Sequence, residues 1–320
     1  MPRVVIIGRI HDSGLALLRE RPGLTLELIE DATEPAVAAA ASGADAILIR
    51  TSRLSAAAIA GAPQLKVVSR HGVGYDNVDL AALNARGIPL TVVGSVNAVS
   101  VAEQALFLLL ATMRRGFAYD RATRQGAWDF RNSLAARDLA GKTLVIVGYG
   151  RIGREVAARA LAFGLRVVAY DPYAAPAAPV ERAADLDAAL AEADAVSLHV
   201  PLTAETRLLF DRSRLARLKP SAVLISTARG GLIDEVGLAE ALTEGRLAAA
   251  GLDVFAEEPP PADHPLLALP NVVLSPHAAS LTLECAERMS LVAARNCLDG
   301  LDGRLDPGLV VNRDCLGVPS

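Results

Sequence analysis

The chain has 320 residues, of which 52% are hydrophobic and 21% are charged, and its formal net charge at pH 7 is -4. This length predicts about two domains, with ample material for a buried core. The charge shows no basic excess, so composition argues against a nucleic-acid partner and against a role at a membrane surface.

No targeting segment is expected from the first residues of this sequence. It reads MPRVVIIG, without the order of charged, long apolar and small residues that marks a signal peptide. The most apolar helical stretch, Ala105 to Met113, is far too short to span a bilayer. Cys285, Cys297 and Cys315 have no paired metal-ligand spacing, which predicts no metal site and apolar thiols in a reducing compartment. We therefore expect a cytoplasmic protein.

Short aliphatic runs alternate with helical patterns from the first residues onward. Continuous apolar runs separated by helices are typical of a parallel sheet covered on both faces. The predicted strands of this first part are RVVIIG (3–8), LTLELI (24–29), DAILIR (45–50) and LKVVSR (65–70). The predicted helices between them lie near Ser13–Glu20, Glu34–Ala41, Ser55–Ala60 and Leu80–Arg86. This part is expected to end near Val96.

A long helix is predicted from about Ala98 to Arg115. Apolar residues recur along it at helical spacing and extend around much of its circumference, which predicts burial between units or against a second copy of the chain. A polar, arginine-rich loop containing Trp128 is expected to follow.

A second alternating part opens at GKTLVIVGYG, residues 141–150. Its predicted strands are Thr143–Val147, Arg166–Tyr170, Ala195–Leu198, Ala222–Ser226, Ala249–Asp253 and Val272–Leu274. Six strands with helices between them predict a complete doubly wound sheet. A last helix, from about Thr282 to Asp299, leads to a tail that ends GLVVNRDC. Such a tail could return to the first part and make that part discontinuous in sequence.

A glycine loop follows the first strand of the second part. Gly148, Gly150 and Gly153 form a G-x-G-x-x-G pattern between a strand and a helix. The first glycine permits the tight turn, the second lets the backbone approach a pyrophosphate, and the third lets helix pack on strand. The helix N-terminus then offers free N–H groups to the phosphates. This context predicts a dinucleotide site.

Asp171 ends the next strand, eighteen positions after Gly153 (171 minus 153). An acid at this place accepts hydrogen bonds from the adenosine ribose hydroxyls. Its charge would repel a 2′-phosphate, so the sequence favours NAD over NADP. The alternative is a turn aspartate before a proline.

Polar side chains follow three more strands of the second part. Arg229 follows one strand, Asp253 and Glu258 the next, and His277 the last. The carboxyl ends of parallel strands meet at one edge, so these groups are expected to converge. A histidine with a carboxylate partner can give a proton to a ketone oxygen during hydride transfer, and an arginine suits an α-oxo carboxylate. These residues predict a small 2-oxo or 2-hydroxy acid as substrate.

Structural alternatives exist for each group, and His277 itself could be a polar residue at a loop edge. Arg229 could lie in a surface turn, Glu258 could cap a helix and Asp253 could be a turn residue. His11, His71, His199 and His264 compete for the acid role, and of these His11 and His264 are interpreted as surface residues.

Several motifs in order show that the chain resembles the D-isomer-specific 2-hydroxyacid dehydrogenases, and within them the phosphoglycerate dehydrogenase-like group. The resemblance covers nearly the whole chain. The motifs are SRHGVGYDNVDL, VSVAEQALFLLLA, LVIVGYGRIGREVA, LHVPLTAETRLLF, LISTARGGLIDE, AGLDVFAEEPP and LSPHAAS.

The resemblance implies two doubly wound, Rossmann-like α/β domains with parallel sheets. The NAD-binding domain, 98–282 with the long helix, would be inserted into a discontinuous substrate domain, 1–97 and 283–320. It also implies a homodimer built through the long helix.

Roles follow by motif position. Arg229 would bind the substrate, His277 would donate and accept the proton, Glu258 before Pro259 would be its partner, and Asp253 would hold the nicotinamide carboxamide. The resemblance adds further cofactor residues at Arg151, Ile152, Val200, Thr206, Thr227, Ala228 and Ala279, and it places His199 in the cofactor wall.

On the substrate side, the resemblance implies backbone N–H groups near Val73 and Gly74, together with Asn97. Arg50 and Arg70 end two predicted strands, where phosphoglycerate enzymes of the family carry arginines. They could neutralise a substrate phosphate or form surface salt bridges, and both alternatives stay open.

The predicted activity is hydride transfer between NAD(H) and a D-2-hydroxy acid or its 2-oxo acid. 3-Phosphohydroxypyruvate is the first expected substrate, and hydroxypyruvate, glyoxylate and other 2-oxo acids are the alternatives. A hypothesis from another class is an NAD(H)-sensing, corepressor-like binding protein. Multiple turnover with a 2-oxo acid would separate the two.

Overall fold

The computed structural model describes residues 1–30 and 33–317. Within them the strands are β1 Arg3–Ile7, β2 Thr25–Ile29, β3 Ala46–Ile49, β4 Val67–Arg70, β5 Leu90–Thr91, β6 Thr143–Val147, β7 Arg166–Tyr170, β8 Glu181–Arg182, β9 Ala195–Leu198, β10 Val223–Ser226, β11 Ala249–Leu252 and β12 Val272–Leu274. The α-helices are α1 Asp12–Arg19, α2 Glu34–Ala41, α3 Ala56–Ala60, α4 Leu80–Ala85, α5 Ala98–Met113, α6 Gly116–Arg124, α7 Arg151–Ala162, α8 Leu186–Glu192, α9 Arg212–Leu215, α10 Glu235–Thr243 and α11 Leu283–Leu301. Short 3₁₀ turns cover Trp128–Ser133, Gly230–Leu232, Pro265–Ala268, Pro307–Leu309 and Arg313–Leu316.

The chain divides into two compact units. The first unit comprises Met1–Asn97 with Leu281–Ser320, and the second unit comprises Ala98–Ser280. The division after Ser280 falls two residues before the predicted domain limit at 282.

The first unit is built on a parallel sheet with strand order β2-β1-β3-β4-β5. Alternate strand residues enter different cores: Val5 and Ile7 pack among residues of α2, α3 and α4, whereas Val4 and Ile6 pack among residues of α1 and α11. Strand residues whose neighbours cover both faces of a sheet are mostly apolar, which explains the aliphatic runs of β1 and β3. The predicted doubly wound α/β class is therefore confirmed for this unit.

The chain end belongs to the first unit. Helix α11 packs against α1 so closely that a Cβ on Gly14 would lie 2.8 Å from the carbonyl oxygen of Ser290. Beyond α11, Val310 forms an antiparallel bridge with Thr91, and Leu90 donates its N–H to the Asn312 side chain at 2.8 Å. The tail thus returns to the first unit, as its sequence predicts.

The second unit carries a seven-stranded sheet in the order β12-β11-β10-β9-β6-β7-β8, with parallel pairing throughout. Here too, alternate residues of β6 enter opposite cores: Leu144 and Ile146 pack with α5 and α7, and Val145 and Val147 with α8 and α10. The strand order reverses between β6 and β9, and a doubly wound sheet binds its ligand at such a point. The sequence predicts six strands, and β8 is the additional edge strand.

The region after the long helix differs from its prediction. Helix α5 ends at Met113, and Arg115 takes a left-handed φ of 53°, which redirects the chain into α6. The expected polar loop is therefore wrong: its first part is helix α6, and Trp128 lies in a 3₁₀ turn. Few apolar residues mark this helix in the sequence, because no residue of α6 is buried.

Much of the apolar surface of α5 is covered within its own unit. Leu106, Leu108 and Leu109 are buried, and a Cβ on Gly251 of β11 would lie 2.8 Å from the Cβ of Leu108. The buried leucines of α5 are therefore explained by close packing of this helix against the sheet of its own unit. Within residues 1–30 and 33–317, no helix combines the length and apolar character needed to cross a membrane.

Candidate active site

The glycine loop lies at the carboxyl end of β6, where the strand order reverses. Gly148 has a φ of +96°, and a Cβ there would lie 2.7 Å from the His199 carbonyl. A Cβ on Gly153 would lie 2.1 Å from the Gly148 carbonyl oxygen, whereas a Cβ on Gly150 would meet nothing within 4 Å. The first and third glycines therefore serve packing, and the second leaves open space above the N-terminus of α7.

Asp171 holds this loop in shape. One of its carboxylate oxygens accepts the N–H of Tyr149 at 2.7 Å, and the other accepts the N–H groups of Tyr173 and Ala174 at 2.8 and 2.9 Å. The side chain is half-buried. Both the glycine loop and the turn after β7 are thus ordered around one carboxylate at the end of β7.

The end of β10 brings Thr227 and Arg229 to the same edge of the sheet. The Thr227 hydroxyl is buried and has no hydrogen-bond partner within residues 1–30 and 33–317, so it is available to a ligand. Arg229 donates from Nη1 to the Ala228 carbonyl at 2.8 Å. A 3₁₀ turn at Gly230–Leu232 follows directly.

Asp253 is fully buried at the end of β11, and its carboxylate organises the turn that carries His277. It accepts the N–H groups of Ala278 and Ala279 at 2.9 Å each and the hydroxyl of Ser275. The Asp253 carbonyl accepts the N–H of His277 at 2.7 Å. These bonds hold His277 at a φ of 51°, a left-handed conformation that costs a non-glycine residue about 1–3 kcal/mol.

His277 and Glu258 form a direct pair. The carboxylate Oε2 of Glu258 accepts from Nδ1 of His277 at 2.6 Å, and its Oε1 accepts the N–H of Phe255 at 3.1 Å. Burial alone would raise the pKa of Glu258, but these two bonds, with the charges of His277 and Arg229, hold that pKa below its usual value. Glu258 is therefore a carboxylate near neutral pH, paired with Nδ1 of His277.

The histidines that compete with His277 lie in different surroundings. His71 is buried, and its Nε2 lies 2.9 Å from the Ser290 hydroxyl. His199 is half-buried, and its Nε2 lies 2.8 Å from the Ser197 hydroxyl. His264 is wrongly predicted as a surface residue: its side chain is 14% exposed and its Nε2 lies 3.1 Å from Glu235. His11 caps α1 and accepts the N–H of Ser13.

Two histidines, His71 and His199, make the stability of the protein sensitive to mild acid. Burial lowers the pKa of His199 to about 4, and burial followed by the charges of Arg50 and Arg70 lowers the pKa of His71 to about 4. In the unfolded chain these two histidines bind protons as the pH falls below 6.5, whereas in the folded protein they stay neutral until about pH 4. The stability of the fold is therefore fully present above pH 6.5 and decreases as the pH falls toward 4. Between pH 7 and 5, we expect the free energy of unfolding to fall by about 2 kcal/mol for each ring.

Urea unfolding at pH 7 and pH 5 measures this loss. In His71→Gln, about half of the two-ring loss should disappear, because one titrating ring is gone. If the pH dependence of the unfolding free energy in His71→Gln matched that of the wild type, His71 would bind its proton as readily in the folded protein as in the unfolded chain.

The first unit brings Arg50 and Arg70 together at the carboxyl edge of its own sheet. Arg70 is buried and donates to the His71 carbonyl at 2.6 Å and to Asn77 Oδ1 at 3.2 Å. Asn77 in turn donates to the carbonyls of Arg50 and Ser52 at 3.3 and 2.7 Å. Asn77 was not among the predicted residues, although it belongs to the motif SRHGVGYDNVDL.

The remaining predicted residues occupy strand ends or adjoining loops. Val73 and Gly74 are half-buried in the loop after β4, and Asn97 is buried before α5. Arg151 and Ile152 begin α7, and Ala279 is buried behind His277. In the segment after β9, Val200 is half-buried, and the Thr206 hydroxyl donates to the Pro201 carbonyl at 2.6 Å. No group of three His, Cys, Asp or Glu side chains in the described parts of the chain could hold a metal ion.

Residues 106–279 match the family model described as D-isomer specific 2-hydroxyacid dehydrogenase, NAD binding domain. The chain belongs to this family. Most of the second unit matches the NAD-binding domain of that family, and NAD is the cofactor for which such a domain is built.

Relatives and solved structures agree with the family. The chain is 41% identical to the D-3-phosphoglycerate dehydrogenase of Mycobacterium leprae over 97% of its own length, and it spans 59% of that relative. It is 39% identical to the glyoxylate reductase of Korarchaeum cryptofilum, covering 97% of this chain and 96% of that one. A crystal structure of a protein from Thermus thermophilus is 42% identical, with a TM-score of 0.89 over 97% of this chain and 99% of that chain.

Proposed function

We propose that the protein is an NAD-dependent oxidoreductase that transfers hydride between NAD(H) and a small D-2-hydroxy acid or its 2-oxo acid. The observation that carries this proposal is the 2.6 Å hydrogen bond between His277 and Glu258 at the carboxyl edge of the NAD-binding domain. A histidine held in this way is a general acid and base for an alcohol–ketone interconversion.

The proposed residues have separate tasks. His277 gives its Nε2 proton to the carbonyl oxygen during reduction and takes it back during oxidation. Glu258 holds the ring by Nδ1 and stabilises its protonated form. Arg229 binds the substrate carboxylate and polarises the carbonyl, because a guanidinium offers two parallel donors to a planar acid.

NAD, when bound, accepts or supplies the hydride. The residues fit it: the open space above Gly150 admits a pyrophosphate, and Asp171 suits ribose hydroxyls. The buried hydroxyl of Thr227, which has no hydrogen-bond partner among the described residues, can bind to the cofactor. Asp253, by shaping the His277 turn, would also place that turn beside the nicotinamide. The further proposed cofactor residues are Gly148, Arg151, Ile152, Gly153, Val200, Thr206, Ala228 and Ala279.

For the substrate we propose 3-phosphohydroxypyruvate first, with hydroxypyruvate, glyoxylate and other 2-oxo acids as alternatives. Arg50 directly follows β3 and Arg70 ends β4, the strand that pairs with it, so two guanidinium groups share one sheet edge. Paired arginines suit a phosphate dianion. Val73 and Gly74 would offer backbone N–H groups and Asn97 a side-chain amide. Relatives named for phosphoglycerate and for glyoxylate support both substrate classes.

We further propose a cytoplasmic homodimer formed through the long helix α5. Phe107 of α5 and Phe117 of α6 are exposed and meet edge to face at 6.1 Å, which leaves an apolar surface for a second copy. The proposed domains are 98–282 for NAD and the dimer contact, and 1–97 with 283–320 for the substrate.

NADH oxidation by the purified protein tests the proposal, with a panel of 2-oxo acids at matched concentrations. We expect multiple turnover, fastest with 3-phosphohydroxypyruvate. Faster turnover of an unphosphorylated acid would keep the reaction and discard the phosphate role of Arg50 and Arg70. NADH binding without turnover of any acid would contradict the enzyme and favour a sensor.

A further inference from the structure

The loop that carries Glu258 is attached to helix α10 through one carboxylate. Glu235, the first residue of α10, accepts the N–H of Ala256 on Oε1 at 2.7 Å. Its other oxygen, Oε2, lies 3.1 Å from Nε2 of His264. The Glu235 side chain is only 12% exposed, so this carboxylate serves the interior of the fold and not its surface.

Consecutive peptide groups of this loop are bound by two different carboxylates. The N–H of Phe255 donates to Glu258 at 3.1 Å, and the N–H of Ala256 donates to Glu235 at 2.7 Å. Glu258 in turn holds His277 at 2.6 Å. Hydrogen bonds, together with the backbone of Phe255, thus join Glu235 to Glu258 and then to His277.

The same short segment is pressed against the turn that follows Arg229. A Cβ on Gly230 would lie 1.9 Å from the carbonyl carbon of Phe255 and 2.1 Å from the nitrogen of Ala256. The Phe255–Ala256 peptide therefore packs against the Gly230 backbone, and its N–H binds the Glu235 carboxylate. Its position affects both Arg229 and Glu258.

His264 contacts both Glu235 and Phe255. Its ring meets the Phe255 ring edge to face at 5.6 Å, while its Nε2 faces Glu235. Glu235 is thus held by two partners, the Ala256 amide and the His264 ring. A carboxylate with both oxygens engaged inside the protein has little freedom to rotate, so it fixes the loop firmly.

We infer that Glu235, supported by His264, is a positioning residue that sets the distance between Glu258 and His277 by anchoring the Ala256 amide. This inference rests on the proposed function. Without the anchor, the loop would relax, Glu258 would lose its place against Nδ1, and His277 would orient poorly toward the substrate carbonyl. Misplacement of catalytic groups by about 1 Å can cost 10²-fold in rate.

The test compares Glu235→Ala, Glu235→Gln and Glu258→Gln, with kcat normalised to the NADH-binding sites present. We expect Glu258→Gln to lower kcat about 10²-fold and Glu235→Ala about tenfold. Glu235→Gln should recover most of the loss, because its amide oxygen still accepts from Ala256 and its amide N–H can donate to the other tautomer of His264. Glu240→Ala is the matched control on the same helix: its described partner, Arg212, lies outside the Ala256 path, and kcat should stay within about twofold.

A double-mutant cycle separates positioning from a merely structural role. If Glu235 acts through Glu258, the double variant Glu235→Ala/Glu258→Gln should be no slower than Glu258→Gln alone. Losses that multiply in the double variant would overturn the inference, as would an unchanged kcat in Glu235→Ala.

Hydrogen exchange of the Ala256 amide supplies a test that needs no turnover. It should be about tenfold faster in Glu235→Ala and unchanged in Glu240→Ala. Unchanged exchange in Glu235→Ala would overturn the inference even with an active enzyme. An inactive wild-type protein would contradict the proposed function alone, and the exchange measurement would still decide whether Glu235 anchors the loop.

Discussion

Replacing His277 with asparagine is expected to lower kcat for 2-oxo acid reduction about 10³-fold and to leave the dissociation constant of NADH within about twofold. The ring is the proposed proton donor, and its Nδ1 contacts Glu258 rather than the glycine loop. Asparagine is preferable to alanine here because the φ of 51° at this position is left-handed, and asparagine tolerates that region best among non-glycine residues. Stopped-flow kinetics and NADH fluorescence titration measure the two quantities.

His11→Asn is the matched control for that substitution. His11 caps α1 in the first unit, and asparagine is also a good N-cap, so kcat should stay within about twofold of the wild type. Full turnover in His277→Asn, with NADH bound normally, would remove His277 from its role.

Gly153→Ala is expected to lower the free energy of unfolding by about 3 kcal/mol and to weaken NADH binding more than about tenfold. The added Cβ would lie 2.1 Å from the Gly148 carbonyl oxygen and 3.3 Å from Cγ2 of Ile146, so α7 must move away from β6. The cost is large because backbone, and not a flexible side chain, stands in the way. Urea unfolding and NADH titration measure both effects.

Gly150→Ala separates packing from ligand binding in the same loop. A Cβ there would meet no described residue within 4 Å, and the backbone is extended (φ -78°, ψ -155°) without a positive φ, so stability should change by less than about 0.5 kcal/mol. NADH affinity should still fall about tenfold or more, because the methyl group occupies the space that a pyrophosphate needs. Tight NADH binding in this variant would mean that the phosphates do not lie over Gly150.

Elements with strong physical constraints can be predicted from the sequence. The last four residues of β1 and of β6 are buried and apolar, because both faces of these strands are covered, so each run is visible at once in the sequence. The glycine loop is equally visible, because Gly148 needs a positive φ and Gly153 meets the Gly148 backbone. Weakly constrained elements escape prediction: β8 is two exposed residues and α6 buries none.

The sequence by itself determined the family, the doubly wound sheets and the strand ends where Arg229, Asp253, Glu258 and His277 would lie. Parallel strands align their carboxyl ends, so the order of these residues along the chain is enough to place them on one edge. The sequence did not determine what each side chain contacts.

Only the tertiary structure decided those contacts. Glu235 and His264 are 29 residues apart in the chain, and neither carries a periodic or spacing signal that joins them. Their pairing depends on the path of a loop without regular structure, and in such a loop the side-chain partners follow from packing. The same reason explains why His264, which reads as a surface residue, is largely buried beside Phe255 and Glu235.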